Sequence, residues 1–181
     1  MIVNFSVQNF GSIKDKQTLS FEADKSTHLE DHYIINAIGL RLLKLALIYG
    51  ANASGKTTIL KAIDFLKELV LEPAEKKTDS LDFSPFLFDN ETPKQNSIIS
   101  IDFIQNDIRY YYEVEFNKNA VSKEELNFFN PNKANVFKRT TDIEKQFTEI
   151  TFGSKIKKDK TFEKTLESNT LWNNTVLGGF L

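Results

Sequence analysis

A glycine-rich loop at residues 50–58 holds the side chains best suited to chemistry in this sequence. Its letters, GANASGKTT, match the spacing G-x-x-x-x-G-K-[ST], in which backbone N–H groups and the positive end of a helix dipole surround a phosphate. The lysine supplies a cation for the β- and γ-phosphates, and the next hydroxyl can ligate Mg²⁺. The loop therefore predicts a nucleotide-phosphate site formed by Gly50, Ala51, Asn52, Ala53, Ser54, Gly55, Lys56, Thr57 and Thr58, with Thr57 as the metal ligand.

Individual roles follow from these positions. Gly50 and Gly55 let the backbone approach an anion without an intervening Cβ. Thr58 is placed to donate a hydrogen bond to the α-phosphate. Asn52 lies at the crest of the loop, where its amide either positions an attacking water or only braces the loop.

Two elements must hold this loop in place. The apolar run Lys44–Tyr49 predicts a strand that is buried on both faces. After the loop, Ile59, Ile63, Leu66 and Val70 recur at helical spacing, which predicts an amphipathic helix that ends at Glu72-Pro73.

In much of the rest of the chain, apolar residues alternate with polar ones instead of recurring at helical spacing. Alternation in Val3–Val7 and Thr18–Glu22 predicts a hairpin, and residues 23–38 are polar and irregular. Residues 74–96 are charged and predict a surface excursion. Alternation resumes from Ile99 to Phe152 and predicts an antiparallel meander of about four or five strands.

Composition narrows the class of protein. A length of 181 residues fits one domain with a full core. The net charge of −2 and pI of about 5.8 provide no global field to hold DNA or an acidic membrane. The absence of cysteine suits a reducing cytoplasm, and no signal peptide or membrane span is recognisable. We therefore expect a cytoplasmic protein with no membrane partner.

Four stretches follow one another along the chain: Phe5–Ile13, Ile48–Thr58, Ile108–Phe116 and Leu126–Pro131. In this order they resemble the N-terminal lobe of ABC-type ATPases of the SMC/RecF branch, and more closely the AAA15/AAA21-type ATPases of bacterial defence systems and OLD-family nucleases. The resemblance implies the fold class α/β (α+β), a P-loop NTPase lobe with a mixed sheet, a P-loop helix and an antiparallel β-meander. It implies one ATP-binding lobe over residues 1–181, with strands, loop and helix in 1–72, the meander in 97–152 and a C-terminal helical segment in 161–181.

The same resemblance implies the ligands and partners. ATP and Mg²⁺ would bind between two lobes and two subunits, with a signature serine motif and a Walker B acidic pair supplied by the second lobe. Hydrolysis would then require a missing C-terminal lobe or partner chain, together with homodimerisation. DNA is a possible partner, and the implied role is bacterial DNA maintenance or antiphage defence.

The sequence departs from that pattern at two places. Gly11 occupies a position where the family often has a basic residue, and the nearest cation, Lys14, is typical of a solvated lysine after a turn. No signature segment is recognisable, and the best Walker B candidate, Ile98–Asp102, continues as an alternating strand. We therefore expect the sequence to stop before the second lobe, and we expect this chain by itself to bind ATP weakly or not at all and to hydrolyse it negligibly.

Other interpretations compete with this one. A small P-loop kinase or GTPase would need Asp102 as its Walker B residue, and a degenerate lobe would serve only as a binding module. His28 and His32 could hold a metal, and Lys155–Lys160 could contact nucleic acid, although solvated loops explain both. Apolar residues in 171–181 predict an exposed, association-prone surface.

Overall fold

The computed structural model describes residues 1–52, 54–145, 147–156 and 160–180. The strands are β1 (Ile2–Gln8), β2 (Gln17–Ser20), β3 (Ile34–Ala37), β4 (Leu40–Leu43), β5 (Ser97–Gln105), β6 (Ile108–Phe116), β7 (Val121–Phe129), β8 (Lys133–Asp142) and β9 (Phe147–Phe152). The α-helices are α1 (Glu30–Tyr33), α2 (Lys56–Leu71) and α3 (Lys160–Asn169), and short 3₁₀ helices span Thr92–Lys94 and Gly178–Phe180. Within these ranges, no helix has the length and apolar character needed to cross a bilayer.

Seven strands form one sheet in the order β2-β1-β5-β6-β7-β8-β9. The strands β5 to β9 follow one another as an antiparallel meander, which confirms the prediction from alternating apolar residues. β1 pairs with both β2 and β5, so the opening hairpin and the meander belong to the same sheet. This sheet positions the start of the chain beside α2.

Helix α2 packs its apolar side into the core of the sheet, as its periodicity predicted. Ala62, Phe65, Leu66 and Leu69 are buried in the same cluster as side chains from β1 and the meander. The helix ends at Leu71 because the Glu72-Pro73 pair disfavours another helical turn.

The predicted surface excursion at residues 74–96 is partly wrong, because this segment contributes to the core. Phe83 is buried, and its ring lies 5.7 Å from Phe10, 5.4 Å from Phe65 and 4.8 Å from Phe116, measured between centroids. The three phenylalanines of this stretch, Phe83, Phe86 and Phe88, form no helical or strand period with neighbouring apolar residues, so sequence pattern alone could not predict which of them is buried.

The predicted buried strand Lys44–Tyr49 is not formed. The strand before the loop is instead β4, which ends at Leu43 and pairs with β3 in a separate two-stranded hairpin. Leu47 is 77% exposed and Tyr49 is 91% exposed. Every strand pairing in the described residues is antiparallel, so the expected mixed sheet is not seen. A strand needs neighbours for its backbone groups, and the described residues pair no strand with this segment.

The segment after α3 lies against the sheet, so the predicted exposed apolar surface at 171–181 is wrong for the described residues. Val176 is fully buried. The Asn174 side chain bonds the backbone of Ala74 through both its oxygen and its nitrogen, at 2.6 and 3.0 Å. The Trp172 indole N–H donates to the Lys77 carbonyl at 3.0 Å, which anchors this segment near the end of α2.

Candidate functional site

The glycine-rich loop leads directly into helix α2. Gly55 is the N-cap residue and has a φ of 87°, a left-handed conformation that glycine adopts without steric cost. Gly55 offers no side-chain cap, and the first turn of α2 carries no acidic residue. The N–H groups at this helix start are therefore oriented toward the loop with no carboxylate of that turn to compete for them.

The Lys56 side chain folds back over the loop. Its amine donates hydrogen bonds to the carbonyl oxygens of Gly50 at 2.9 Å and Ala51 at 2.6 Å, and lies 3.4 Å from the Ser54 hydroxyl. Among the described residues, Lys56 takes part in no ion pair. Lys56 therefore has no carboxylate counter-ion in the described part of the chain, and its amine is held by oxygens of the loop itself.

The remaining loop residues are placed as follows. Thr57 is exposed at the start of α2, where its hydroxyl could ligate a Mg²⁺ ion held by phosphates. The Thr58 hydroxyl lies 2.8 Å from the Ser12 hydroxyl, so it contacts the β1–β2 turn. Asn52 is exposed at the crest, and Ala53 lies outside the described residues.

An open cleft of about 420 Å³ adjoins the loop. One side is lined by Ile48, Ser54, Gly55 and Ile59, and the other by residues 12–15 of the β1–β2 turn and residues 17–19 of β2. Its volume lies in the range of about 300–1,000 Å³ that is typical of small-molecule sites. Sequence reasoning missed this cleft, because its two sides are far apart along the chain.

The tight fit of Gly11 explains why this turn carries no basic residue at that position. Gly11 has a φ of +55°, and a Cβ added there would lie 2.8 Å from the Thr58 Cγ2 atom. Its N–H donates to the Ser84 carbonyl at 2.7 Å. Any side chain at Gly11 would therefore require the Thr58 side chain to shift, and it would also be strained by the positive φ.

Asn9 holds this turn in place and was not singled out from the sequence. It is 1% exposed and adopts a left-handed backbone with a φ of 52°. Its amide nitrogen donates to the carbonyls of Thr92 and Gln95, each at 2.9 Å, and its oxygen accepts from the Phe86 N–H at 2.9 Å. This one side chain joins the β1–β2 turn to the segment 84–95.

Asp102, the Walker B candidate, is paired with Arg109 of the neighbouring strand. Its carboxylate accepts a hydrogen bond from the Arg109 Nε at 2.8 Å and forms an ion pair across the β5–β6 hairpin. Both residues therefore belong to the meander, as the alternating pattern indicated.

The other sequence candidates do not form a site with the loop. His28 and His32 are exposed, and no cluster of metal-ligating side chains occurs in the described ranges. Lys155 lies over the Phe128 ring at 5.8 Å, whereas Lys157 and Lys158 fall outside the described residues.

A glycine loop that surrounds a lysine at a helix start, beside an open cleft, defines the class of phosphate-loop nucleotide-binding domains. A family model described as "AAA domain, putative AbiEii toxin, Type IV TA system" matches residues 45–173, which is more than half of the chain. The chain belongs to this family, and its resemblance to AAA21-type P-loop ATPases is confirmed. Among curated proteins, none matches the chain.

Proposed function

We propose that this chain is the ATP-binding lobe of an SMC/RecF-like ATPase of the cytoplasm, in which residues 50–58 hold the phosphates of ATP. The observation that carries the proposal is the Lys56 amine, which lies over the loop on the carbonyls of Gly50 and Ala51 and pairs with no described carboxylate. A phosphate can join this arrangement because the lysine and the start of α2 both attract negative charge.

The chain's own residues would bind and orient the nucleotide. Lys56 would neutralise charge on the β- and γ-phosphates, Thr57 would hold Mg²⁺, and the adjoining 420 Å³ cleft, which Ser54 and Gly55 line, would receive part of the phosphate chain. Phosphoryl transfer also needs a group that orients the attacking water. Since Asp102 is paired with Arg109, we propose that hydrolysis requires a second lobe and dimerisation.

The exposure of residues 45–49 supports the proposal that a second lobe packs against this domain. Leu45, Leu47 and Tyr49 are exposed large apolar side chains on a segment that has no regular secondary structure and leads directly into the loop. Exposed apolar runs of this kind mark surfaces that other elements cover. We propose that this segment becomes a sheet strand when the second lobe, in this protein or a partner chain, is present.

Hydrogen exchange can test whether residues 45–49 become a strand when the second lobe is present. In the 181-residue chain we expect the amides of 45–49 to exchange at nearly unprotected rates, whereas those of β6 in the middle of the sheet should be slow. Adding the second lobe should slow exchange at 45–49. Strong protection in the chain alone, at a concentration where it is monomeric, would contradict the proposal.

Lys56→Ala tests nucleotide binding itself. A ligand at ten times its Kd stabilises the folded state by about 1.4 kcal/mol. For a chain of this size that corresponds to a rise of about 3–6 °C in Tm. We expect Mg-ATP to produce such a rise in the unmodified chain and none in the variant, with differential scanning fluorimetry as the measurement.

Lys67→Ala is the matched control, because Lys67 is exposed on the same helix and lies away from the loop. It should keep the full response to Mg-ATP, and a parallel titration with Mg-GTP would report base preference. No response of the unmodified chain at millimolar Mg-ATP would count against nucleotide binding and in favour of a non-catalytic binding module.

The wider role rests on resemblance. We propose that the completed protein acts as a homodimer in bacterial DNA maintenance or antiphage defence, with DNA as a candidate partner. The family description, which names a putative AbiEii toxin and a type IV TA system, supports a toxin–antitoxin setting, and the geometry of the loop supports only the nucleotide-binding part of this proposal.

A further inference from the structure

Lys14 stands between two clefts. It lines the cleft beside the glycine loop, together with Ser54 and Gly55, and it also lines a second cleft of about 340 Å³ that contains Asp89. The Lys14 amine lies 2.8 Å from the Asp89 carboxylate, and half of its side chain is exposed. A lysine at such a boundary can reach either side by rotating its flexible stem.

Asp89 does not depend on Lys14 for its hydrogen bonds. One carboxylate oxygen accepts the backbone N–H groups of Thr92 at 2.6 Å and Glu91 at 3.0 Å, and the other accepts the Thr92 hydroxyl at 2.7 Å. Lys14 and these donors hold the pKa of Asp89 well below its usual range, so the carboxylate is charged at neutral pH. Asp89 is therefore a fixed anion that stays satisfied when the lysine leaves.

The energetics favour exchange of Lys14 between two anions. An ion pair between exposed side chains is weak, because water screens both charges. A bound polyphosphate would place several negative charges in the cleft beside the glycine loop, more than the single charge of Lys56 neutralises. Asp15 also lines this cleft, so a second cation there would offset a carboxylate as well as the ligand.

We infer that Lys14 is a second phosphate-binding cation of this site, and that Asp89 competes with the nucleotide for it. The inference rests on the proposed function, since it concerns the same cleft. It assigns to the Lys14–Asp89 pair a regulatory effect: the pair weakens nucleotide binding by holding Lys14 away from the ligand.

The two partners should then respond in opposite directions. Lys14→Met removes the cation and should weaken the Kd for Mg-ATP roughly fivefold, as expected for loss of one charge-assisted contact. Asp89→Asn keeps an oxygen for the Thr92 N–H but releases Lys14, and should tighten the Kd by about threefold, because weak pairs cost little to break. In the Lys14→Met background, Asp89→Asn should have no effect.

Isothermal titration calorimetry of the full 181-residue chain with Mg-ATP, Mg-ADP and AMP measures these changes. The effect should be smaller for AMP, which has fewer phosphate charges. Lys145→Met and Asp142→Asn provide the control, because that exposed pair has a similar 2.9 Å separation but lies on the far side of the meander.

The outcomes separate the two proposals. If Lys14→Met and Asp89→Asn shift the Kd in the same direction, or not at all, while Lys56→Ala abolishes binding, the pair is only structural and this inference is wrong. If the unmodified chain binds none of the three nucleotides, the proposed function and this inference both fail.

Discussion

Replacing Glu124 with alanine is expected to destabilise the fold by about 3–5 kcal/mol, the cost typical of leaving one member of a buried ion pair alone. Glu124 and Arg139 are both fully buried, with 3.5 Å between the Glu124 Oε2 and an Arg139 guanidinium nitrogen. Glu124 also accepts hydrogen bonds from the Tyr112 hydroxyl at 2.9 Å and the Val176 N–H at 2.6 Å. The substitution would leave Arg139 buried without a counter-ion.

In Glu124→Ala, the segment 171–176 should lose more of its stabilising contacts than the rest of the fold. Arg139 donates to the carbonyls of Leu171 and Trp172, each at 3.1 Å, so this pair holds the segment 171–176 against β7 and β8. Burial raises the pKa of the Glu124 carboxyl, an effect that Arg139 and the Val176 N–H oppose. Burial also lowers the pKa of Arg139, so each charge depends on the other to remain in the core.

Urea unfolding followed by circular dichroism measures this effect. Glu149→Ala is the matched control, because Glu149 lies exposed on β9 and should change the free energy of unfolding by less than about 0.5 kcal/mol. Glu124→Gln should fall between the two, since it keeps an acceptor but removes the charge. A change below about 1 kcal/mol for Glu124→Ala would contradict the role assigned to the pair.

Asn9→Ala is expected to destabilise the fold by about 2–4 kcal/mol. The substitution leaves the buried Thr92 carbonyl without its partner, which costs about 1–3 kcal/mol, whereas water can reach the part-buried Gln95 carbonyl and Phe86 N–H. Alanine also fits the left-handed backbone at this position less well than asparagine, which adds about 1 kcal/mol. The segment 84–95 would lose its main link to the β1–β2 turn.

A comparison of three variants separates these causes. Asn9→Gly removes the hydrogen bonds without the backbone strain, so it should be less destabilising than Asn9→Ala. Asn4→Ala is the control on β1, the strand that precedes Asn9, because the Asn4 amide makes an exposed hydrogen bond to Glu22 at 3.1 Å. If Asn9→Ala unfolds at the same urea concentration as Asn4→Ala, the proposed role of Asn9 is wrong.

Local pattern was enough to predict several parts of this molecule. The spacing of Gly50, Gly55 and Lys56 located the loop, because each glycine and the lysine have a role fixed by the neighbouring backbone. The periods of the apolar residues located α2 and the meander, since side chains repeat every 3.6 residues on a helix and every 2 on a strand. These signals depend on residues within one element, and a sequence displays them directly.

Contacts between distant residues could not be read in this way. Asn9 bonds Thr92 across 83 positions, and Glu124 bonds Val176 across 52. In the sequence, Glu124 and Arg139 resemble the exposed charges of any strand, and only packing makes them buried. The segment 44–49 shows the converse: its composition indicates a buried strand, yet it is exposed, because a strand is formed by its neighbours as much as by its own residues. The phosphate loop can therefore be predicted from the sequence alone. The turn, the cleft and the charge pairs around it are formed by tertiary contacts between residues that are distant in the sequence.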